Sequence, residues 1–420
     1  MNIWIFQTGE PMHGDSGSPR PMRAMNLANA LVDRGHKVVI WTSSFYHQEK
    51  RHRHNKFHKK VISNNLSICF IPSPGYVRNV GLGRLYDHAL LAINLYKQLR
   101  RREMSLPDIA FIGYPPIEFS YLASRWLKHK GIPFIVDVKD QWPDIFIRAF
   151  PTFLSPIVRI IFFPYFYMGK KVIRESTVLC SMTHAFSNWA KEFSQRSTKS
   201  VDLILPLAPV FNSSSSLSGN DVRSWLSANG ISVDENIFRI FFVGNFMATA
   251  FNFNPLIEAA QLAQLKGLNW QFVLCGDGEK WESIKQRCSA LPNVFFPGRV
   301  NRNQILALSK ISNVGVAPIL NTPDYLLSVP NKVVDYFSLG LPVVTSLGGE
   351  VEGLIREWSA GIKYIDSVKD SLFEVLCHYY KNPDLVSLHS KNSRLLYESD
   401  FDGEKIYKNA VYLIEKMVKS

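Results

Sequence analysis

The sequence predicts an α/β protein of two Rossmann-like domains that face each other across a cleft. Three observations predict this fold: the chain length, the alternation of apolar strands with amphipathic helices, and the restart of that alternation after residue 220. A chain of 420 residues with 46% hydrophobic and 20% charged residues exceeds what one hydrophobic core usually supports. We therefore predict an N-terminal domain over 1–208, a C-terminal domain over 209–400 and a helix over 401–420 that packs back on the N-terminal domain.

The first half begins with a βαβ unit, which implies a parallel sheet. The pattern predicts a buried strand at 2–7, a helix at 22–34 and a second strand at 36–42. Further strands are predicted at 66–71, 109–112, 133–138, 177–181 and 201–205.

The second half repeats this alternation after a polar run at 212–220, which is typical of a surface or inter-domain loop. Its strands are predicted at 237–243, 270–275, 294–296, 314–317 and 342–345. Its helices are predicted at 255–266, 281–290, 304–311 and 331–339.

The formal charge of +13 indicates an anionic partner: nucleic acid, an anionic membrane surface or a phosphate-bearing small molecule. The densest basic cluster is Lys50 to Lys60, KRHRHNKFHKK, which predicts either a solvated loop or a basic face towards anionic lipid. Because the basic clusters lack interleaved aromatic stacking positions, we do not expect nucleic acid as a partner.

One apolar stretch interrupts the alternation. Residues 150–168, FPTFLSPIVRIIFFPYFYM, carry Arg159 as their only charge, and their length alone would permit a membrane span. Three prolines and a position between two predicted strands argue against a span. The remaining alternatives are an ordinary buried helix, or a helix on the membrane surface or in a groove for a lipid acceptor.

The cysteines and the first residues of the chain indicate the cellular compartment of the protein. Five widely spaced cysteines without a CxxC pair indicate neither a disulfide framework nor a zinc site. The first residues enter an apolar strand directly, without the pattern of an export signal. We expect a cytoplasmic protein, with peripheral contact to the inner face of the plasma membrane as the alternative location.

A glycine- and proline-rich loop, GEPMHGDSGSPRP, joins the first strand to the first helix, where backbone N–H groups and the helix dipole can meet an anion. The GxGxxG spacing is absent, so an NAD enzyme is not expected. Gly14, Gly17 and Arg20 would let a substrate approach the backbone, and a structural turn is the alternative.

Two strands of the second half end in glycine turns. Gly244 and Asn245 end FFVGN, and Gly276 ends the strand of VLCGDG. Because ligands of open α/β sheets bind beyond the carboxyl ends of the strands, a nucleotide would approach here.

The segment from Val329 to Glu350, VPNKVVDYFSLGLPVVTSLGGE, adds a helix start and a further turn at this edge. Lys332 or the helix amides could meet phosphate oxygens, and Asp335 a ribose hydroxyl. Helix capping by Asn331 and dipole stabilisation by Asp335 are the structural alternatives.

Two polar groups follow strands of the first half. Asp140, in DVKDQWPD, is expected to look into the cleft, with helix capping by the acids of this motif as the alternative. His184, in SMTH, could also face the cleft, although a single histidine more often has a structural role.

Over nearly its whole length the chain resembles the family 4 glycosyltransferases of GT-B fold, particularly bacterial members that build O-antigen, capsule or other surface polysaccharides. The resemblance rests on these segments: the glycine loop followed by RAMNLANALVDRGHKVVIWTS, DVKDQWPD, FFVGN, CGDGEK with FPGRV, and PNKVVDYFSLGLPVVTSLGGE. The last of these is the most specific.

The resemblance implies a role for each matching position. It assigns Asp335 to the ribose and Asp140 to orienting or deprotonating the acceptor. It assigns Gly276, Arg299 and Val300 to the base region. It assigns Gly348, Gly349 and Glu350 to the donor sugar or phosphate.

The chain departs from the family pattern at three places. The family often has two glutamates eight positions apart, and this chain has Leu327 at the first position and Asp335 at the second. The family also often has an arginine after the FFVG strand, where this chain has Asn245. Ala250 and Phe251 occupy the region where the family often has a lysine.

The resemblance implies transfer with retention from a nucleotide-sugar, expected to be a UDP-linked N-acetylhexosamine or deoxy sugar. The acceptor is expected to be a polyprenyl-diphosphate-linked or other saccharide. No cofactor or metal is expected, because the DxD spacing at 400–402 precedes the terminal helix and the histidines at 52, 54 and 58 lie among cations. The alternatives are a nucleotide-sugar-binding protein without catalysis and a UDP-sugar epimerase of the same fold.

Overall fold

A computed structural model describes residues 1–15, 20–78, 81–101, 104–197, 202–210, 219–247 and 249–419. These residues divide into two units by their contacts. Unit 1 comprises 1–206 and 403–420, and unit 2 comprises 207–402. The polar run predicted as a loop lies mostly outside the described residues, and its last two residues begin a helix.

The described residues of unit 1 form an eight-stranded sheet in the order β10-β9-β8-β7-β1-β2-β6-β5. The strands are β1 Asn2–Phe6, β2 Lys37–Ser43, β5 His58–Ser63, β6 Leu66–Ile71, β7 Ile109–Tyr114, β8 Phe134–Val138, β9 Val178–Ser181 and β10 Asp202–Ile204, with the short pair β3 Phe45–Tyr46 and β4 Arg51–His52 beside them. The helices are α1 Arg23–Asp33, α2 Leu82–Arg100, α3 Ile117–His129, α4 Asp144–Arg148, α5 Ser155–Ile161, α6 Phe163–Glu175 and α7 His184–Ser194. Every residue of the central strands β7 and β8 is buried, as expected for a parallel sheet covered on both faces.

The basic cluster from Lys50 to Lys60 is not simply a loop. Residues 51–52 pair with 45–46, and residues from 58 onward form the edge strand β5, antiparallel to β6. Most side chains of β5 are exposed, and a charged edge strand discourages pairing with another chain. The charge run concealed this strand, because its cationic side chains replace the apolar alternation that would have marked it.

The apolar stretch at 150–168 forms a 3₁₀ turn, Thr152–Leu154, followed by α5 and α6. The two helical segments, Thr152–Ile161 and Phe163–Glu175, meet at an angle of 74°. Among the described residues no single helix has the length and apolar composition of a membrane span, and this bent pair meets that test only when both parts are counted together. Much of α5 is exposed, so the interpretation as an ordinary buried helix is wrong for this part.

Unit 2 contains a parallel sheet of six strands in the order β13-β12-β11-β14-β15-β16 among its described residues. The strands are β11 Phe238–Asn245, β12 Trp270–Asp277, β13 Val294–Gly298, β14 Val314–Ala317, β15 Val343–Thr345 and β16 Gly361–Lys363. The helices are α8 Gly219–Ala228, α9 Asn254–Leu265, α10 Trp281–Arg287, α11 Arg302–Ile311, α12 Pro323–Leu326, α13 Asn331–Ser338, α14 Gly349–Glu357, α15 Ser371–Lys381 and α16 Pro383–Leu396, followed by a π-helical turn, Tyr397–Phe401. Apolar clusters cover the two faces of this sheet and form the core of the unit.

The last helix, α17 Gly403–Lys419, belongs to unit 1, where it packs against α1. Its apolar face includes the buried residues Tyr407 and Ile414. On its polar side Glu415 accepts hydrogen bonds from Arg34 Nε at 3.2 Å and His36 Nε2 at 2.9 Å. The C-terminal helix α17 therefore packs in the same unit as the N-terminal strand β1.

Candidate functional site

The strand order of unit 2 changes direction between β11 and β14. β12 follows β11 on one side, and β14 lies on the other. In an open parallel sheet this point leaves a crevice at the carboxyl ends of the strands, where ligands bind. Gly244 and Asn245 end β11 at this edge, and Gly276 lies beside Gly244 in the register of β12.

The backbone turns at this edge are close together. Gly276 has a φ of 138°, and a Cβ there would collide with the carbonyl oxygen of Gly244. A Cβ at Gly244 would lie 2.6 Å from Nζ of Lys332. Glycine at both positions thus allows β11, β12 and Lys332 to approach one another, and leaves the backbone accessible to a ligand.

Replacing Gly276 with alanine should cost about 2 kcal/mol or more of unfolding free energy and weaken nucleotide binding, because strain adds to the collision with Gly244. The matched control is Gly267→Ala, where φ is 64° and nothing lies within 4 Å of the added Cβ. The control should cost about 1 kcal/mol and leave binding unchanged. Denaturant unfolding and nucleotide titration measure both; equal effects of the two substitutions would contradict the close approach.

Lys332 is the charged group at the centre of this edge. It lies in the first turn of α13 and is buried, with Nζ 3.2 Å from the ring centre of Phe242 and 4.4 Å from that of Phe251. None of the described residues provides Nζ with a hydrogen-bond partner. Burial holds the pKa of Lys332 well below its usual value, and the charge of Asp335 opposes this shift only in part.

The loop after β11 supplies one of these two rings. Backbone hydrogen bonds join it to the segment after β14: the N–H of Asn252 donates to the carbonyl of Pro318 at 2.9 Å, and the N–H of Leu320 to that of Ala250 at 3.0 Å. These bonds hold Phe251 beside the lysine. Sequence reasoning placed Lys332 at this helix start but missed its aromatic surroundings, because they come from a separate loop.

The start of α13 can also receive an anion. Its N-cap is Pro330, and no side chain caps the helix. The backbone N–H groups of the first turn and the helix dipole therefore favour negative charge next to Nζ of Lys332. Asp335 lies one turn further along α13 and is half-buried.

A second helix starts at the same edge. Gly348 is the N-cap of α14, and its N–H donates to Oδ1 of Asn321 at 2.7 Å. Gly349 and Glu350 form the first turn of α14. Their acidic neighbour Glu352 accepts from Nζ of Lys363 at 2.7 Å.

The outer part of the edge is exposed. Arg299 follows β13, and its Nε donates to Oδ2 of Asp277 at 2.9 Å across the end of β12. Both side chains are open to solvent, so this pair contributes at most about 1 kcal/mol to stability and leaves the guanidinium accessible. Val300 packs against the core of unit 2. The structure thus brings the predicted residues of unit 2 to one edge of one sheet.

The predicted residues of unit 1 lie at the carboxyl edge of that unit's own sheet. Asp140 follows β8 and is exposed, and His184 is the exposed first residue of α7, after the neighbouring strand β9. Arg20, also exposed, precedes α1. Gly17, predicted in the same loop, lies outside the described residues.

Sequence reasoning missed a buried charge network at this edge. Nη1 of Arg23 donates to Oδ1 of Asp137 at 2.5 Å, and both side chains are buried. Nζ of Lys139 donates to Oε1 of Gln7 at 2.9 Å and to Glu10, whose other oxygen accepts from the N–H of Ala24 at 2.9 Å. Of the acids in DVKDQWPD, Asp137 is therefore structural, whereas Asp140 remains exposed.

Glu118 is a second carboxyl group that sequence reasoning missed. It lies in the first turn of α3, directly after β7, and burial raises its pKa to about 7. His88 Nδ1 is 4.0 Å from its Oε2, and burial lowers the pKa of His88 to about 3. A carboxyl group with this pKa can exchange protons near neutral pH.

No group of three or more histidine, cysteine, aspartate or glutamate side chains that could hold a metal ion occurs among the residues that the structure describes. All five cysteines are free thiols. Burial raises the pKa of Cys69 and of Cys275 to about 12, which keeps both thiols protonated and unreactive.

Comparison with known proteins identifies the second unit. Residues 237–382 match the family model described as glycosyl transferases group 1. These residues contain the edge from β11 to α14 described above. A comparison with curated proteins finds no match.

Several solved structures share the fold over the whole chain. Sucrose-phosphate synthase of Thermosynechococcus elongatus is 14% identical with a TM-score of 0.70, over 99% of this chain and 98% of that one. HepE of Anabaena in complex with UDP is 12% identical with a TM-score of 0.65, over 99% of both chains. WaaG, a glycosyltransferase involved in lipopolysaccharide biosynthesis, is 15% identical with a TM-score of 0.65, also over 99% of both.

These neighbours have the GT-B fold of two Rossmann-like domains, which the sequence predicted. The parallel sheets of the two units agree with it. The chain therefore has the GT-B fold, and its residues 237–382 match the family model of the glycosyl transferases group 1.

Proposed function

We propose that the protein transfers a sugar with retention of configuration from a UDP-sugar to a lipid-linked or saccharide acceptor, in the synthesis of a surface polysaccharide such as O-antigen or capsule. The sugar is an N-acetylhexosamine or a deoxy derivative. The reaction takes place on the cytoplasmic side of the membrane, without a metal or other cofactor. The free thiols are those of a protein in a reducing compartment and support this location.

One observation carries the donor part of this proposal: the buried ammonium of Lys332. A buried charge without a hydrogen-bond partner among the described residues is unfavourable until an anion reaches it. The diphosphate of a nucleotide-sugar has the charge to do so, and the N–H groups at the start of α13 would complete its binding. As the sugar leaves, these groups would stabilise the charge that develops on the diphosphate.

The residues around Lys332 provide the other contacts of the proposed donor. Asp335 would accept hydrogen bonds from the ribose hydroxyls. Gly276, Arg299 and Val300 would flank the base. Gly244 and Asn245, together with Gly348, Gly349 and Glu350, would hold the phosphates and the sugar. HepE of Anabaena, which shares the fold, has been solved with UDP and with UDP-glucose, which supports uracil as the base.

The acceptor would be bound by unit 1. Asp140 and His184 would be the catalytic groups, and Asp140 would orient or deprotonate the acceptor hydroxyl. Gly17 and Arg20, in the β1–α1 loop, would bind the donor. The role of WaaG in lipopolysaccharide biosynthesis supports a surface saccharide as the acceptor class. A polyprenyl-diphosphate-linked saccharide would require the enzyme to work at a membrane surface.

The donor proposal is tested by thermal-shift binding of UDP, GDP, ADP and CMP to the wild type and to Asp335→Ala. A nucleotide at a hundred times its dissociation constant stabilises a protein by about 2.7 kcal/mol, a shift of about 5 °C or more for a unit of this size. We expect this shift for UDP, and a much smaller one for the variant. Asp384→Ala, which removes an exposed acid from the first turn of α16, is the matched control and should retain the full shift. If no nucleotide shifts the transition, the donor site is wrong.

A second candidate function is nucleotide-sugar binding without catalysis. It is favoured by Leu327 and Asn245, which stand where the family has a glutamate and an arginine. The two functions differ in one measurement, the release of UDP from UDP-N-acetylglucosamine in the presence of a polyprenyl-diphosphate-linked saccharide. Release with transfer supports the transferase, binding without release supports the second function, and interconversion of UDP-sugars without an acceptor would indicate an epimerase.

A further inference from the structure

The segment from the turn before α5 to the start of α6 exposes several large apolar side chains close together in the chain. Ile157, Ile160 and Ile161 are 55%, 75% and 65% exposed, and they share one face of α5 because their spacing is three and four residues. Phe153, in the turn before α5, is 77% exposed, and Phe163, at the start of α6, is 63% exposed. Single exposed apolar residues are ordinary, but five within eleven positions form a patch that marks an interaction surface.

Basic side chains lie beside this apolar patch. A cavity of about 540 Å³ opens along α6 and the end of α5. It is lined by Arg159, Phe163, Phe166, Tyr167, Lys170, Lys171, Arg174 and Glu175. The one carboxylate, Glu175, already accepts from Arg125 at 3.3 Å and Lys128 at 3.0 Å, so the cavity itself is cationic.

Aromatic rings hold the cations at the border of the patch. The guanidinium of Arg159 lies 5.3 Å from the ring centre of Phe166. Nζ of Lys171 donates to the hydroxyl of Tyr167 at 3.0 Å and lies 5.2 Å from the centre of that ring. Cations and aromatic rings next to an exposed aliphatic face match the boundary between lipid headgroups and acyl chains.

We propose that α5 and α6 form a membrane-binding surface that lies in one leaflet of an anionic bilayer. The face formed by Phe153, Ile157, Ile160, Ile161 and Phe163 enters the acyl region. The cations of the cavity bind lipid phosphates at the level of the headgroups. The 74° bend between the two helices keeps the segment in the interface, because neither half reaches across the bilayer.

The positive charge of this surface favours an anionic bilayer over a second copy of this chain as its partner. Two copies meeting on this patch would bring their cavity cations together at the border of the contact, and the formal charge of +13 would add to the repulsion. An anionic bilayer offers apolar area and negative charge at the same surface. The surface belongs to unit 1 and does not involve the donor residues of unit 2, so binding to lipid is independent of the proposed activity.

The test is sedimentation of the full chain with vesicles of phosphatidylcholine alone and with vesicles of equal parts phosphatidylcholine and phosphatidylglycerol. We expect strong binding to the mixed vesicles only. Lys170→Gln with Lys171→Gln should weaken it roughly 20- to 30-fold, because each cation near an anionic surface contributes about fivefold to the partition constant. Ile160→Asn with Ile161→Asn should weaken it at least tenfold.

The matched control is Leu265→Asn with Leu388→Asn, which changes two exposed leucines of unit 2 and should leave binding unchanged. All the substituted side chains are at the surface, and the melting temperature of each variant confirms that it folds. The proposal is overturned if the wild type does not bind the mixed vesicles, or if the variant Ile160→Asn with Ile161→Asn binds them as strongly as the wild type does. It is also overturned if the isoleucine variant changes the oligomeric state in ultracentrifugation without changing vesicle binding, since a second copy would then cover the patch.

Discussion

Replacing Lys332 with methionine should raise the melting temperature of the nucleotide-free protein and at the same time weaken the binding of UDP. Methionine has a similar volume and no charge, so it removes the cost of burying an ammonium that no described residue hydrogen-bonds. The gain should be about 1 kcal/mol or more, reduced by the loss of the contacts with the rings of Phe242 and Phe251. The loss of a buried charge-assisted contact to phosphate should lower the affinity roughly 10- to 100-fold.

The pH dependence of UDP binding tests the role of the Lys332 side chain independently. Burial lowers the pKa of Lys332 in the free protein, and the negative charge of a bound diphosphate would raise it again. Binding then takes up a proton, so the affinity of the wild type should fall as the pH rises through the range in which Lys332 deprotonates. Lys332→Met should lose this dependence.

The control for this prediction is Lys266→Met. Nζ of Lys266 lies 5.6 Å from the ring centre of Phe373, and Lys266 precedes β12, at the opposite edge of the sheet from the candidate site. Stability is measured by calorimetry and affinity by titration calorimetry. A destabilised Lys332→Met variant that binds UDP normally would show that Lys332 serves the core alone.

Removing the carboxylate of Asp137 should be the most destabilising of the substitutions considered for unit 1. Asp137→Leu leaves the guanidinium of Arg23 buried without its ionic partner, and breaking a buried pair costs about 3–5 kcal/mol. The same substitution removes a charge 3.6 Å from Nζ of Lys139. We expect a fall in the melting temperature of several degrees.

A double variant separates a lost ion pair from a damaged core. Arg23→Met with Asp137→Leu removes both charges and should recover much of the stability lost in Asp137→Leu, because no unpaired charge stays buried. The exposed pair Arg394–Glu398, with N–O at 2.7 Å, provides the comparison, and Glu398→Gln should cost less than about 1 kcal/mol. A double variant as unstable as the sum of its single changes would argue against this account.

The alternation of strands and helices was predictable because most strands are continuous apolar runs. β7, Ile109–Tyr114, is buried at every residue, and its sequence shows this directly. The edge strand β5 was not predictable in the same way. Most of its side chains are exposed, and most are polar or charged, so its pairing with β6 comes from the tertiary fold rather than from its own pattern.

The residues of the candidate site were predictable by type, but their surroundings were not. Spacing placed Lys332 and Asp335 at a helix start, and the structure confirms this for Lys332, whereas Asp335 lies one turn further along α13. The rings that surround Lys332 come from a strand and a loop that are distant in the sequence, and no local sequence pattern predicts that contact. Likewise, Asp137 and Asp140 are equivalent in the motif, and only a partner 114 residues away in the sequence distinguishes the buried acid from the exposed one.

The return of α17 to unit 1 affects the order in which the chain can fold during synthesis. Residues 207–402 leave the ribosome before residues 403–420, so most of unit 2 emerges before the helix that packs on α1. Until then α1 lacks its contact with α17, whose side chains Tyr407 and Ile414 are buried in the complete unit. The first unit to be translated is therefore the last to be finished, and a nascent chain stalled before residue 403 would present an apolar surface to chaperones.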